Sequence, residues 1–505
     1  MSETIAEVVP DVAKVGGKLA MSSVITGRRR VRLVPQSGQT YGSGASSGIV
    51  NILIQDGQAY ADLLSACVSF EVTVNDAGVA NPAGTLPVST NYCVLDDGAY
   101  SVFRRALISV NSTLMDDTDF LAKKVNGELY ATASQAWYNN VGAWLGLWKA
   151  NTDEYGYVPT QTAGGADEIQ ISKYNVPSKA LQYARRLQSQ NGAGTAPIYP
   201  GQNKFSVPLS LLTSFFRNDT LFPSRNAGQL YVQLNLASAL EACIAGSAGP
   251  NPSYTITNLT LELDFVDLHP TYLSLMDDMI EAPSGSGVNW AFDSHLVTSQ
   301  SIGSGSGSKS VIVSKASQNM RSLHVVAQPT AGLASAKFPS QSCFNNPNFI
   351  DIQYRVGSLY YPAFTAVGEA RAFMDLQNAF GSPESSDKSG IIDTLNYYTT
   401  SAVAVGTAAP ALTVNNSGTP TATSATVPLA NAGWSDCWMY AYCFDRLKHA
   451  KFHGIDLDGI NTLTSAGSQM VVQINCAPTV DTTLVSIVRF TRVLHLGGGA
   501  TSVIG

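Results

Sequence analysis

Phe205–Ile244, FSVPLSLLTSFFRNDTLFPSRNAGQLYVQLNLASALEACI, and Tyr254–Tyr272, YTITNLTLELDFVDLHPTY, decide the reading of this chain. Leu230, Val232, Leu234 and Leu236 alternate with Tyr231, Gln233 and Asn235. That is the period of a strand with one face buried. Leu259, Leu261, Leu263 and Phe265 repeat the pattern, and then the phase slips so that Val266 and Leu268 carry the apolar face. A one-residue slip is what a β-bulge produces. The two segments read as a pair of long strands closing a β-rich unit before residue 283. Pro283–Gly287, PSGSG, reads as a linker, and a second β-rich unit of similar length follows.

Working outward, 505 residues exceed one compact domain, so two or three are expected. Charged residues are only 13% of the chain, about half the roughly 25% of an average soluble protein. Few charges with 43 glycines suit strands joined by long loops, and a surface largely buried against other subunits. A net charge of −7 argues against coating nucleic acid through phosphate contacts. The seven cysteines form no CxxC pair and read as reduced thiols. No run of 18 apolar residues marks a membrane span, and the N-terminus has no secretory pattern. The sequons at Asn111, Asn218, Asn258 and Asn415 therefore read as chance matches.

In the first half, strands are expected at Arg29–Pro35, around Val50–Ile54, at Ala66–Val74 and at Ser101–Val110, ending in the Asn111-Ser112-Thr113 turn. Thr118 is a candidate N-cap for a helical stretch reaching about Trp148, with Asn126-Gly127 as a break and Trp137, Trp144 and Trp148 as core. Residues 76–99 and 150–203 read as loops, the latter with a helical patch at Ser178–Leu187. The second half repeats the plan: short strands at Val311–Val313, Leu323–Val326 and Phe349–Val356, an amphipathic helix at Glu369–Phe380, a polar loop at 400–433, and closing strands at Met470–Cys476 and Leu484–Leu496. Such a repeat is consistent with duplicated jelly rolls.

Few residues could carry chemistry. Asp445, His449 and His453 share a face if helical, as metal ligands can, yet lack a fourth ligand. Asp456-Leu-Asp458-Gly459 resembles the start of a calcium loop without its closing acid, and a turn is the better reading. Asp96-Asp97, Asp116-Asp117 and Asp277-Asp278 are sequence neighbours, which point apart on a strand and make no acid–base pair unaided. With six histidines and no nucleophile motif, no catalytic, cofactor or metal residue is assigned, and the chain is not expected to be an enzyme.

The order of several motifs carries a resemblance over Arg29 to Val503. RVRLVPQSGQTYGSGASSGIVNILI with LLSACVSFEV, LDDGAYSVFRRALISVNSTLMDDTDF, the opening pair of segments, YRVGSLYYPAFTAVGEARAFMDLQNAFG, GIDLDGINTLTSAGSQMVVQINC and VSIVRFTRVLHLGGGATSVI resemble, in that order, the strands of double jelly-roll major capsid proteins of eukaryotic DNA viruses. The likeness is to the virophage and polinton-like virus type within the adenovirus-like capsid lineage. It implies an all-β fold of two consecutive eight-stranded antiparallel jelly rolls with short helical insertions and long loops. The expected divisions are an N-terminal arm at 1–26, a first jelly roll at 27–282, the linker at 283–287 and a second jelly roll at 288–505. The resemblance further implies a structural protein of the virion, made inside the host cell and not secreted. It would be a homotrimer whose pseudo-hexagonal capsomers tile an icosahedral shell. Implied partners are neighbouring capsomers, a penton protein, minor capsid proteins and often an internal membrane. No sequence-specific nucleic acid binding is expected.

The arm joins an apolar stripe, Ile5 to Leu19, to a basic cluster at Arg28–Arg32, and reads as a docking segment for the shell interior, with a disordered tail as the alternative. A secreted jelly-roll carbohydrate-binding protein or glycoside hydrolase is the competing class. That class would want a signal peptide and a convergent carboxylate pair. A bacterial surface or fibre protein is a third reading, and it usually shows shorter repeats.

Overall fold

The computed structural model describes residues 24–42, 48–76, 93–96, 98–134, 137, 141–142, 144–147, 158–161, 167–170, 204–218, 220–245, 251–281, 287–313, 317, 319–334, 340–342, 344–380, 392, 397, 410–414, 420–426, 437–445, 459–460, 462, 470–478, 480–497 and 500–504. Eight strands build a first barrel: β1 Ile25–Leu33, β2 Ile49–Ile54, β3 Tyr60–Asp76, β4 Phe103–Val110, β5 Thr113–Thr118, β6 Lys204–Pro208, β7 Leu230–Leu236 and β8 Pro252–Leu268. Eight more build a second: β9 Val288–Ile302, β10 Gly307–Val313, β11 Met320–Pro329, β12 Phe349–Val356, β13 Leu359–Val367, β14 Met439–Cys443, β15 Met470–Cys476 and β16 Thr482–Gly497.

The sheet orders are β1-β8-β3-β6 facing β2-β7-β4-β5, and β9-β16-β11-β14 facing β10-β15-β12-β13. In the first barrel the pairs β1–β8, β2–β7, β3–β6 and β4–β5 are all antiparallel, and so are the corresponding pairs in the second. Each barrel is thus one long antiparallel ribbon, wrapped so that its third strand meets its eighth and its fourth meets its seventh. That is a jelly roll, and it occurs twice with the same order. The all-β double jelly roll expected from the sequence is the fold. Wrapping removes most open edges and encloses one apolar layer per barrel. Val50, Ile52, Ile108, Val232 and Leu234 face Val68, Ile256, Leu261 and Leu263 in the first. Val311, Val472 and Ile474 face Leu323, Val325, Ile487 and Val488 in the second.

Three helices of twelve residues follow the same plan: α1 Leu121–Thr132, α2 Pro270–Glu281 and α3 Glu369–Phe380. α1 and α3 each follow the fifth strand of their barrel, ahead of the long insertion. α2 joins the barrels. No bulge in β8 accounts for the face change at Phe265-Val266: β8 keeps unbroken register with β1 from Leu261 to Asp267, the β3–β8 break between Glu262 and Asp264 has its extra residues in β3, and Val266 and Leu268 pack on the other face of β8 with Tyr60, Leu273 and Met276. Leu261, Leu263 and Phe265 face the barrel core, and Val266 and Leu268 on the opposite face receive the helix. At the end of the linker Gly287 sits at φ +68, where an added Cβ would come within 2.4 Å of the His495 ring, so only glycine fits.

Several expectations need correction. The opening strands do not pair with each other. β7 lies in one sheet and β8 in the facing one, because the ribbon pairs strands whose ranks sum to nine. The first strand is Ile25–Leu33 rather than Arg29–Pro35 and takes in the last two residues assigned to the arm. Thr118 is not a cap. It ends β5, and its hydroxyl donates to Asp116 at 3.4 Å. The helix runs Leu121–Thr132, with Phe120 before it at φ 48 and no side-chain cap. Asn126-Gly127 lies inside the helix rather than breaking it. Trp144 is 78% exposed, not core, whereas Trp137 is half-buried against the core. The local period alone does not announce β5, β9, β13 or β14 as strands; in β9 the buried alternation Trp290, Phe292, Ser294 slips by one residue at His295. The patch at 178–187 and most of the loops at 76–99, 150–203 and 400–433 lie outside the described residues, apart from the hairpins Val158–Gln161 with Asp167–Gln170 and Pro410–Val414 with Pro420–Thr426.

Candidate functional site

Among the described residues no group of three or more His, Cys, Asp or Glu side chains is placed to hold a metal. Asp445 is engaged with Arg321, whose Nη2 lies 2.9 Å from its Oδ2. His449, His453, Asp456 and Asp458 lie outside the described residues. Asp116 and Asp117 point apart. Asp117 takes two hydrogen bonds from Arg105 at 2.6 and 2.7 Å, while Asp116 is buried and accepts from Ser294 at 2.7 Å. Asp277 binds Arg225 and Asn226. Asp96 is buried, and its partner Asp97 lies outside the described residues.

These acids instead help to build the feature that dominates the interior, the seam between the barrels. Asp96 accepts from the backbone N–H of Gln341 at 2.6 Å and from the Ser342 hydroxyl at 2.5 Å. Asp116 ties β5 to β9 through Ser294. Asn218 donates to the Ala291 carbonyl at 2.9 Å, and Ser340 donates to the Glu241 carbonyl at 3.2 Å. Arg492 on β16 donates to the backbone carbonyls of Leu114, at 3.2 Å, and Met115.

α1 is the centre of the seam. Ten of its twelve residues are buried, and only Thr132 at its end is exposed. Such a helix would ordinarily be apolar all round. This one carries Lys123, Lys124, Asn126 and Glu128, and each meets a distant partner. Lys123 donates to the Gln328 side chain of β11. Asn126 accepts from Tyr100 at 2.5 Å and donates to the Gln341 carbonyl at 3.0 Å. Tyr130 donates to the Ser342 carbonyl at 3.0 Å. The Glu128 carboxylate is held by Lys124 at 3.3 Å, by Arg217 and by His295 Nε2 at 3.1 Å.

The charges follow from this crowding. Burial alone would raise the Glu128 carboxyl, but the Arg217 and Lys124 cations outweigh it and hold it well below the usual carboxylate range. Burial brings the Lys124 ammonium down to about 8, against the opposing pull of Glu128. Burial, then the Lys124 charge, pushes His295 below the usual imidazole value. His324, buried on β11 against the Phe380 ring, is pushed down to about 3 by burial. The arrangement fastens one barrel to the other.

The seam also orients the barrels. The end of β3 lies beside the start of β6, Glu71 opposite Lys204, so the insertion before β6 enters next to the segment after β3. In the second barrel the end of β11 lies beside the start of β14 in the same way, Val326 opposite Met439. The segments after β3 and β11 touch through Asp96 with Gln341 and Ser342. All three long insertions therefore spring from the same end of the paired barrels.

No disulfide joins Cys67, Cys243, Cys437, Cys443 or Cys476. Two sequon amides are already spent on backbone: Asn111 donates to the Ala227 carbonyl at 2.7 Å, and Asn218 bridges the seam.

No protein-family model matches the sequence, and no curated protein matches it. The structure is similar to a chain in the cryo-EM structure of the Sputnik virophage, with a TM-score of 0.54 at 10% identity over 96% of this chain and 89% of that one. It is similar to the Faustovirus major capsid protein, with a TM-score of 0.53 at 9% identity over 94% of this chain and 92% of that one. At such identities the shared property is the fold over nearly the whole of both chains. The chain therefore has the double jelly-roll architecture of these viral capsid structures, the one its sequence motifs resemble.

Proposed function

We propose that this chain is a major capsid protein. Three copies assemble into a pseudo-hexagonal capsomer, and the capsomers tile an icosahedral shell in the virion. The observation that carries the reading is the seam: two barrels of the same strand order are fastened side by side through buried charge and hydrogen bonds, giving one rigid building block with two equivalent wall units. The full-length likeness to capsid structures supports it. The protein is structural and not an enzyme. It is made inside the host cell, and its partners are neighbouring capsomers, a penton protein and minor capsid proteins.

The chain divides into an arm that ends before β1 at Ile25, a first barrel to residue 282, the linker 283–287 and a second barrel from residue 288. The insertion-bearing end faces outward. The arm, with its apolar stripe and following arginines, faces the interior and docks on a minor protein or an internal membrane.

Light scattering and negative-stain microscopy of the purified protein test the reading. Discrete trimers of capsomer width, or shells, are expected. A stable monomer at micromolar concentration would overturn the capsomer, and monomers active on a polysaccharide would favour a secreted hydrolase instead.

A further inference from the structure

The two barrels repeat each other, yet corresponding edges are covered on one and bare on the other. β5 is the edge strand of its sheet, and Met115 forms a bulge in it: Ile108 pairs with Asp116 and Ser109 with Leu114, leaving Met115 unopposed. Met115 is 0% exposed. It is covered by the second barrel, where β9 and Ala500–Ile504 pack against β5 and Arg492 caps the bulge carbonyls.

β13 holds the same place in the second barrel and bulges further. Ile352 pairs with Ala366 and Tyr354 with Tyr361, so Pro362–Thr365 oppose Gln353 alone. The Gln353 amide holds the loop by donating to the Pro362 carbonyl at 2.9 Å. Phe364, at the bulge, is 88% exposed, and Leu359 and Val367 are 60% and 65% exposed. The strand LYYPAFTAV has no charge along its length. An uncharged apolar sheet edge is what soluble proteins ordinarily avoid, and it marks a surface meant to be covered.

The internal seam says what covers it. There the receiving edge is β9, the outermost strand of its sheet. Its counterpart in the first barrel is β1, which pairs on one side with β8. β1 presents Arg28, Arg30 and Arg32, each more than half exposed at the side chain. Their Nε atoms are pinned by Asp264 at 2.8 Å for both Arg28 and Arg30, and by Glu262 at 2.9 Å for Arg32. Guanidinium groups held flat in this way can cap bulge carbonyls, as Arg492 does, and can stack on aromatic rings. Arg104 does the latter within the chain, 3.6 Å from the Phe120 ring centroid.

We propose that the Phe364 bulge of one copy docks on the arginine edge β1 of a second copy, repeating between chains the contact made within the chain by Met115. This rests on the capsomer reading and assigns the surface by which its copies join. The two patches differ, so the contact is heterologous and each copy uses both of its edges. Such a contact closes into a ring when its rotation divides the circle, and three chains of two barrels form that ring.

Full-length protein carrying the photo-cross-linker p-benzoylphenylalanine in place of Phe364 tests the partner, and light scattering of Phe364→Asp and Phe364→Leu tests the energetics. Irradiation is expected to join position 364 to a peptide from residues 25–33 or 252–268 of another copy. Phe364→Asp is expected to weaken association by roughly tenfold or more, while Phe364→Leu stays close to wild type. Attachment to residues 1–23, or Phe364→Asp trimers as tight as wild type, would overturn the docking surface while leaving the trimer standing. A wild-type protein that is monomeric throughout would remove the capsomer reading, and this proposal with it.

Discussion

Glu128 of the first barrel and His295 of the second meet across the seam, carboxylate Oε1 3.1 Å from imidazole Nε2, in a cluster with Lys124 and Arg217. The contact joins residues 167 positions apart in sequence. It makes the stability of each barrel depend on its neighbour, and it turns the seam into the part of the molecule most sensitive to charge.

Glu128→Ala leaves the buried Lys124 ammonium without its counter-charge, while Arg217 keeps access to solvent. Breaking a buried pair by removing one partner costs about 3–5 kcal/mol. Urea denaturation is expected to show a loss of this size. A loss below about 1 kcal/mol, the value of an exposed pair, would mean that the cluster is hydrated. Glu128→Leu with Lys124→Met is expected to recover part of the loss, because it removes both buried charges.

The buried histidines predict acid sensitivity. His324 has its folded-state value lowered to about 3, while the unfolded chain protonates near the usual 6.5. Below pH 6.5 the unfolded state binds the extra proton, so stability is complete above that value and falls as pH drops. One pKa unit corresponds to about 1.4 kcal/mol, giving about 2 kcal/mol lost at pH 5. His295, also lowered, acts in the same direction. The depressed Glu128 carboxyl contributes its own loss only below about pH 4.5. His324→Gln should flatten the profile between pH 7 and 5. An unchanged slope in that variant would assign the effect elsewhere.

Asp96 accepts two hydrogen bonds from the segment after β11. Asp96→Ala strands both donors and is expected to cost about 2–4 kcal/mol. The loss falls on the seam, so calorimetry should resolve one unfolding transition into two as the barrels uncouple. A single shifted peak would show that the seam is held by its apolar contacts alone.

β1 begins at Ile25, and Arg28 and Arg30 neutralise the buried Asp264. Deleting residues 2–23 should therefore leave capsomers intact and impair shell assembly. Deleting residues 2–33 should abolish the soluble fold. Loss of the capsomer in the shorter deletion would give the arm a role in the trimer instead of in docking.

The insertion-bearing end should be the outer one. Trypsin treatment of intact particles is expected to cut first at Lys173, Lys179, Arg185 or Arg186. Cleavage confined to the termini would place that end inside the shell.

Sequence alone determined the repeated strand plan, because half-buried strands must alternate: β7, β12 and β15 stand where Leu230, Phe349 and Met470 begin their runs, and α3 where its amphipathic spacing and following glycine place it. It also marked where β8 offers a second apolar face, Val266 and Leu268, although the strand stays regular there and no bulge causes the change. Tertiary structure decided which strands pair, because a wrapped ribbon joins segments about 200 residues apart in ways that no local period records. It decided the depth of α1 as well. Nothing local marks Lys123, Lys124 and Asn126 as interior, and they are buried because partners such as Gln328, the Leu212 carbonyl and Gln341 arrive from elsewhere to satisfy them. The exposed edge of β13 is the same lesson reversed. LYYPAFTAV has the composition of a covered strand, and its bareness is visible only once the fold has covered the corresponding edge of the other barrel.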